Sequence, residues 1–193
     1  MSRSIDLEGF QATFAANPDP WGTYIRRDEI RKRVCLLRAL GPGRRARVLE
    51  LASGNGANSQ ALASRALALD ACEGTTAGVA LTAAALAGRP HARVLHRVLP
   101  GRLPRVRYEA IVIAELLYYL NRRAMRALAR HVAAHLAPHG RLVLVHHHID
   151  FHDTAQTAQA IHRRFLAATG RNWHRHYAHR NQRWRVDGLS RPR

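Results

Sequence analysis

The segment AELLYYL (Ala114–Leu120) sets a carboxylate three residues before a pair of tyrosines, Glu115 before Tyr118 and Tyr119. Such a set handles cations. The carboxylate can pair with an ammonium or take its proton, and the ring faces line a cavity that attracts positive charge. A second cluster, HHHIDFHD (His146–Asp153), contains four histidines and two aspartates. It has metal-ligating residue types but not a metal-ligating pattern. Alternate residues of a strand point to opposite faces, so His146 and His148 cannot share a side with His147, and the run matches no standard zinc spacing. No metal is expected. His146 is a candidate substrate contact or proton acceptor. The third segment is VLELASGNGAN (Val48–Asn58), an apolar run that passes through Glu50, Ala52 and Ser53 to Gly54 and Gly56 and then to Asn58. The two glycines open backbone conformations closed to other residues, and the following helix start presents free amides to a carboxylate or phosphate. A dinucleotide fingerprint needs a third glycine where Ser59 stands, which disfavours a pyrophosphate site. Glu50 at the mouth would repel pyrophosphate but accept hydrogen bonds from a cationic amino-acid ligand.

These residues must be positioned by the elements around them. ARVLEL (46–51), RALALDAC (65–72), ARVLHRVL (92–99), EAIVIAE (109–115) and GRLVLVHH (140–147) read as strands. NSQALASRA and GVALTAAALAG read as helices between them. The clearest helix spans Arg122–Gly140, with Met125, Leu128, Ala129, Val132 and Leu136 at three- and four-residue steps and a stop at PHG. TAQTAQAIHRRFLAA is read as a further helix, which carries His162. NWHRHYAHRNQRWRVDGL is read as two short strands on an antiparallel edge. Alternating strands and helices predict an α/β, doubly wound, Rossmann-like sheet, mostly parallel, with helices on both faces. Such sheets bind ligands beyond the carboxyl ends of their strands, where Gly54, Gly56 and Glu115 would all lie.

At this point the chain resembles the class I S-adenosylmethionine-dependent methyltransferases. Their first motif has an acid followed by Gly-x-Gly-x-Gly, matched by Glu50, Gly54 and Gly56, with Ala52 in place of the first glycine. Over nearly its full length it is similar to the NodS-type nodulation N-methyltransferases. DPWGTYIRRDEIRK (Asp19–Lys32) resembles their Asp-Pro-Trp and Tyr-Glu-x-x-Lys segments, with Glu29 and Lys32 matching and Asp28 departing from the tyrosine. YEAIVIAELLYYL (Tyr108–Leu120) resembles their Glu-x-x-Tyr-Tyr-Leu signature, and LAPHGRLVLVHHH (Leu136–His148) their fifth strand. His162 also resembles a family position. The resemblance implies S-adenosyl-L-methionine as cofactor, held at Glu50, Ala52, Ser53, Gly54, Gly56 and Asn58. It also implies an acid at the end of the second strand that accepts the ribose hydroxyls. Asp70 and Glu73 both qualify, and Glu73, 17 residues after Gly56, has the more usual spacing. RVLHRVLPGRLP has no aspartate for adenine, which leaves backbone groups around Arg97 to Leu99. Trp21 would cover cofactor or substrate, or else pack the N-terminal helix. Glu115, Tyr118, Tyr119 and His146 would serve the methyl acceptor, an amine or hydroxyl of a small molecule, with an amino sugar or oligosaccharide as the family's example.

The 193 residues suit a single domain, with residues 1–45 as a helical cap and 46–193 as the core. Neither a signal peptide nor an apolar run of roughly 18 residues is evident, so a cytoplasmic location and no membrane partner are expected. Cys35 and Cys72 share no ligand spacing and read as small buried hydrophobes. The net charge of +18 suggests a polyanion partner. However, 30 of the 31 basic residues are arginine and they run from Arg3 to Arg193 without forming a stripe, as a GC-rich coding bias would produce. A nucleic-acid-binding or nucleic-acid-methylating protein is therefore the alternative reading. Against it, AELLYY stands where nucleic-acid N-methyltransferases of this fold carry an Asn/Asp-Pro-Pro-Tyr segment. Oligomeric state is not written in the sequence.

Overall fold

The computed structural model describes residues 4–104 and 106–192. Two helices, α1 (Leu7–Ala16) and α2 (Arg27–Leu40), come first. Strands β1 (Arg45–Leu51), β2 (Ala66–Glu73), β3 (Ala92–His96), β4 (Tyr108–Ala114) and β5 (Leu136–His147) then alternate with α3 (Ala57–Ala63), α4 (Thr76–Ala85) and α5 (Arg122–His135). The chain ends with α6 (Ile161–Ala168), β6 (His174–Arg180) and β7 (Trp184–Ser190). Among the described residues the strands form one sheet in the order β3-β2-β1-β4-β5-β7-β6. β1 to β5 pair in parallel, and β7 runs antiparallel between β5 and β6. The order reverses between β1 and β4, which puts the carboxyl ends of those two strands on either side of a crevice.

The strand sequences explain this burial. Leu49, Leu51, Ile111, Ile113, Leu142 and Leu144 face one layer and pack with Met125, Leu128 and Val132 of α5 and Phe165 of α6. Val48, Val112, Val143 and Val145 face the other, with Leu36 and Leu40 of α2 and Leu62 of α3. Both faces of the central strands are covered, so their sequences are continuous apolar runs. Cys35 and Cys72 are free and buried, one in each layer. Among the described residues no helix is long and apolar enough to cross a membrane.

Two elements differ from the sequence reading. The helix expected to reach Gly140 ends at His135, and Leu136 is already extended and paired with Tyr108 as the first residue of β5. Pro138 accounts for this, because a proline disfavours helical geometry at the residue before it. The helix expected from Thr154 begins only at Ile161. Its intended first turns are held elsewhere: Ala155 and Gln156 donate their backbone N–H to Tyr118 O, Gln156 Nε2 donates to Leu120 O, and Ala158 N donates to Asp150 Oδ1. Tertiary hydrogen bonds to the loop after β4 override the local helical preference.

The glycine turn between β1 and α3 is tightly packed. A Cβ on Gly56, whose φ is +81°, would lie 2.7 Å from Ala85 Cβ and 2.9 Å from Thr82 Cα of α4. Gly88 has a similar φ of +74° with nothing within 4 Å. Gly88→Ala should therefore cost only the backbone strain, about 1–2 kcal/mol. Gly56→Ala should cost roughly 1–3 kcal/mol more, from overpacking. Urea unfolding of both variants checks this, and equal losses would refute the packing argument.

Candidate active site

β1 delivers Glu50 to the mouth of the crevice almost wholly buried, where Ser59 Oγ, the third residue of α3, donates to its Oε2 at 2.5 Å. Burial pushes the Glu50 carboxyl up to about 8, reinforced by nearby Glu73 and opposed by Ser59 and Arg33. Ala52 holds φ +58°, a left-handed conformation that costs an alanine roughly 1–2 kcal/mol and that the motif's usual glycine would adopt freely. Ser53 N donates to Cys72 O, which ties the turn to β2, and Ser53 Oγ contacts Thr82 Oγ1 at 3.0 Å. Asn58 Oδ1 accepts from Arg33 Nε at 3.3 Å.

The structure separates the two acids of β2. Glu73, at the strand end, reaches the turn: its Oε2 accepts from Gly54 N at 2.9 Å, and its Oε1 accepts from Thr75 N and Thr75 Oγ1, both at 2.9 Å. Gly78 makes room for it, since a Cβ there would lie 2.8 Å from Glu73 Cγ. Asp70 lies one turn of strand earlier and is not brought to the mouth. Arg93 Nε donates to it at 2.6 Å and Tyr108 Oη at 2.7 Å. Asp70 is thereby committed to holding β2 against β3 and β4. At β3, Arg97 N donates to Glu73 O, so the backbone near Arg97 does border the crevice.

Glu115 follows β4 in a left-handed conformation, φ +53°, which turns its carboxylate into the crevice. Lys32 of α2, itself buried, donates to Glu115 Oε1 at 2.5 Å and to Glu29 Oε1 at 2.8 Å. Tyr118 Oη donates a short hydrogen bond to Glu115 Oε2, which also accepts from His147 N at 3.1 Å. His147 Nδ1 lies 3.0 Å from Oε1. Burial raises the pKa of Glu115, but Lys32 and His147 outweigh it and hold the carboxyl well below its usual range. Burial likewise opposes the charge on Lys32, yet Glu115 and Glu29 raise its pKa overall. The two form a pre-assembled ion pair. Burial and the Glu115 charge push the Tyr118 phenol well up, so it stays a donor. Tyr119 stacks edge-on to Tyr118 at 4.8 Å and to Phe10 of α1 at 4.9 Å.

His146 does not take the expected role. It is 1% exposed and both ring nitrogens are in use. Its Nε2 accepts from Leu117 N at 3.1 Å, and a backbone N–H can only donate, so the ring proton sits on Nδ1. Nδ1 then donates to His162 Nε2 at 3.0 Å, and His162 Nδ1 donates to Asp187 Oδ2 at 2.7 Å. Arg175 and Arg185 complete the shell around Asp187, which is fully buried. His146 therefore positions the Leu116–Leu117 backbone, and with it Glu115, instead of meeting substrate. His147 takes the place beside Glu115, while His148 Nε2 bonds Asn181 O. Among the described residues no group of three or more His, Cys, Asp or Glu is placed to hold a metal.

The N-terminal segment roofs the crevice. Phe14 Cζ lies 3.3 Å from where a Gly54 Cβ would be, and Gln11 Oε1 accepts from Ala77 N. Trp21 packs on Phe14 at 5.4 Å and on Phe10 at 6.2 Å while remaining 40% exposed. Asn55, between the two glycines, donates through Nδ2 to Asp19 Oδ1 at 3.0 Å and Thr23 Oγ1 at 2.8 Å, and Tyr24 Oη donates to Asn55 O at 2.9 Å. The Asp-Pro-Trp segment is thus laced to the glycine turn. Asp28 accepts from Trp184 Nε1 of β7 at 2.8 Å. No role for Phe10, Phe14, Arg33, Asn55 or Asp187 was legible in the sequence. Only the four-residue spacing of the two phenylalanines hinted at a shared helix face.

No protein-family model matches the chain, and no curated protein sequence is similar to it. Solved structures do match. A protein from Pseudomonas syringae assigned as a methyltransferase is 34% identical, with a TM-score of 0.75, over 86% of this chain and 100% of its own. The chain belongs to the class I S-adenosylmethionine-dependent methyltransferases. The N-methyltransferase NodS from Bradyrhizobium japonicum WM9, in complex with S-adenosyl-L-homocysteine, superposes with a TM-score of 0.81 at 20% identity over 97% of this methyltransferase and 98% of NodS. DhpI, also in complex with S-adenosyl-L-homocysteine, gives a TM-score of 0.77 at 19% identity over 97% and 96%.

The buried histidines make the methyltransferase acid-sensitive. Burial holds His146 well below its ordinary value of 6.5 and lowers His162 as well. Between the unfolded and folded pKa values the unfolded chain binds more protons, so stability is full above pH 6.5 and falls as the pH drops below it. A histidine held well below its ordinary value, as His146 is, contributes at its limit a slope of about 1.4 kcal/mol per pH unit, and His162 adds a smaller loss in the same direction. Denaturant titrations at pH 7.5, 6.5 and 5.5 should show this loss (~1 unit steps). His146→Gln should flatten the slope; an unchanged slope would show that His146 is not the titrating group.

Proposed function

We propose that this methyltransferase transfers the methyl group of S-adenosyl-L-methionine to an amine of a small molecule, in the manner of the NodS-type enzymes. The observation that carries the reading is the Glu115 cluster. A carboxylate held anionic at the end of β4 meets the rings of Tyr118 and Tyr119 under an aromatic roof from α1. Such a pocket attracts a cation or a polar nitrogen.

The residues at the mouth suit the cofactor. Ala52, Gly54 and Gly56 hold left-handed conformations that bend the backbone close to a ligand. Glu50 and Arg33 offer a carboxyl and a guanidinium to the two charges of an amino-acid end, and Glu73 offers its carboxylate to paired hydroxyls. Ser53 and Asn58 support this turn, Asn58 through Arg33. When bound, S-adenosyl-L-methionine supplies a methyl group already activated on a sulfonium, so what remains for the protein is orientation and exclusion of water. Phe10, Phe14 and Trp21 exclude water. Tyr118 and Tyr119 orient the acceptor nitrogen. Glu115, well below the usual carboxylate range, stays charged and does not act as a proton sink. The acceptor must then enter as the neutral amine or lose its proton to solvent. Within the proposed 1–45 cap, α1 and the Asp19–Tyr24 segment close over the glycine turn of the core.

Incubation with methyl-labelled S-adenosyl-L-methionine and a panel of amino sugars, simple amines and sugar alcohols, with mass spectrometry of the products, tests the proposal. N-methylated products are expected, with kcat/KM rising with pH along the acceptor amine's own ionisation. Glu115→Gln should lower the rate on the order of tenfold to a hundredfold with that pH profile intact. Label found only on hydroxyls, or only in added DNA or RNA, would overturn the reading.

A further inference from the structure

Away from the crevice, cationic side chains gather around a second concavity. A cavity of about 690 Å³ lies at the amino-terminal end of the sheet, the pole opposite the glycine turn, and His139, Arg141, His174, His176 and Arg191 supply its cationic lining. Ser190 and Pro192 complete the wall, and none of its described residues is a carboxylate. Arg141 of β5 is paired with Ala110 and Ser190, and its guanidinium is crowded against Arg45, the first residue of β1. A Cβ on Gly41 would lie 1.8 Å from Arg141 Nη1 and 2.9 Å from Arg45 Nη2. Only a glycine at the end of α2 lets the two guanidinium groups sit there together.

The carbonyls at the end of α2 satisfy part of this cluster, as cations commonly do at a helix C-terminus. Arg45 Nη2 donates to Leu40 O at 2.9 Å and His176 Nε2 contacts Ala39 O at 3.0 Å. Arg141 is left over. Among the described residues its sole hydrogen-bond contact is His176 Nε2, at 3.3 Å. That nitrogen must carry a proton to reach Ala39 O, and then it has no lone pair to offer Arg141. If the proton moves to the other ring nitrogen, Ala39 O loses its donor instead. Either tautomer leaves one group without a partner. The Nε of Arg191 is also buried with no acceptor. Burial and Arg45 both push the Arg141 pKa down, the sign of a cation lacking a counter-charge.

We propose that this cavity is a second ligand site, distinct from the methyl-transfer crevice, that takes the phosphoryl group of a small molecule with Arg141 and Arg191 as its donors. A phosphoryl group supplies several acceptor oxygens and negative charge to two guanidinium groups that have donors to spare, the pairing in which arginine bonds are strongest. Ser190, His139 and His174 offer further donors around it. The 690 Å³ volume leaves room for the body of a phosphorylated metabolite beyond the phosphate itself.

Titration calorimetry with inorganic pyrophosphate at constant ionic strength tests the site. Saturable one-to-one binding is expected. Arg141→Gln and, separately, Arg191→Gln should each weaken it on the order of tenfold, while S-adenosyl-L-homocysteine binding stays unchanged in both. Arg191 lies just past β7, outside the paired strand, so its variant tests the site even if Arg141→Gln fails to fold. Absence of binding, or binding that folded Arg191→Gln retains in full, would overturn the proposal. So would a DNA duplex that displaces pyrophosphate from the wild type and binds both variants undiminished, since that identifies a diffuse polyanion surface.

Discussion

Three carboxylates, Glu50, Glu73 and Glu115, stand at or near the carboxyl ends of adjacent parallel strands, and much of the surrounding structure keeps their charge tolerable. Like charges gathered in a half-dry crevice repel one another and lose solvation. Each is handled by a different device. Glu50 is buried beside a hydroxyl and carries a proton up to about pH 8. Glu73 is an anchor for the backbone of the glycine turn and of the next loop. Glu115 is matched by a buried lysine brought from α2.

The N-terminal segment follows from this arrangement. α2 must lie against β5 and β7 for Lys32 to reach Glu115, and Asp28 helps fix it there through Trp184. The Asp19–Tyr24 turn then reaches Asn55, and α1 comes down on Gly54 and Gly74. On the far side of β5 the Asp187–His162–His146 chain holds the backbone just after Glu115. Glu115 keeps a left-handed conformation that is costly for a glutamate because it is held from both directions.

The sheet was legible because its strands are long apolar runs separated by helix-period segments. The antiparallel edge was legible as two short strands in the final segment. The two misread helices failed for different reasons: Pro138 is a local one, whereas the first turns of the other are held by tertiary partners on the Tyr118–Leu120 loop. Motif position told where Glu50, Gly54, Gly56 and Glu115 would lie. It could not tell that Lys32 already pairs with Glu115, that Asp70 is spent on Arg93 and Tyr108, or that His146 has no free nitrogen. These facts depend on partners 16 to 83 residues away in sequence. His146 and His147, adjacent on β5, do take different partners, His162 and Glu115.

The most direct measurement is the proton balance of cofactor binding. At pH 7 a Glu50 with a pKa of about 8 is mostly protonated, and the ammonium of S-adenosyl-L-homocysteine should displace that proton. Calorimetric titration in PIPES and in Tris at that pH should give different enthalpies, corresponding to release of about one proton, and Glu50→Gln should bind with an enthalpy independent of buffer. Tight binding by the wild type with the same enthalpy in both buffers would contradict the account, because Glu50 would then not be the group that receives the cofactor's charge.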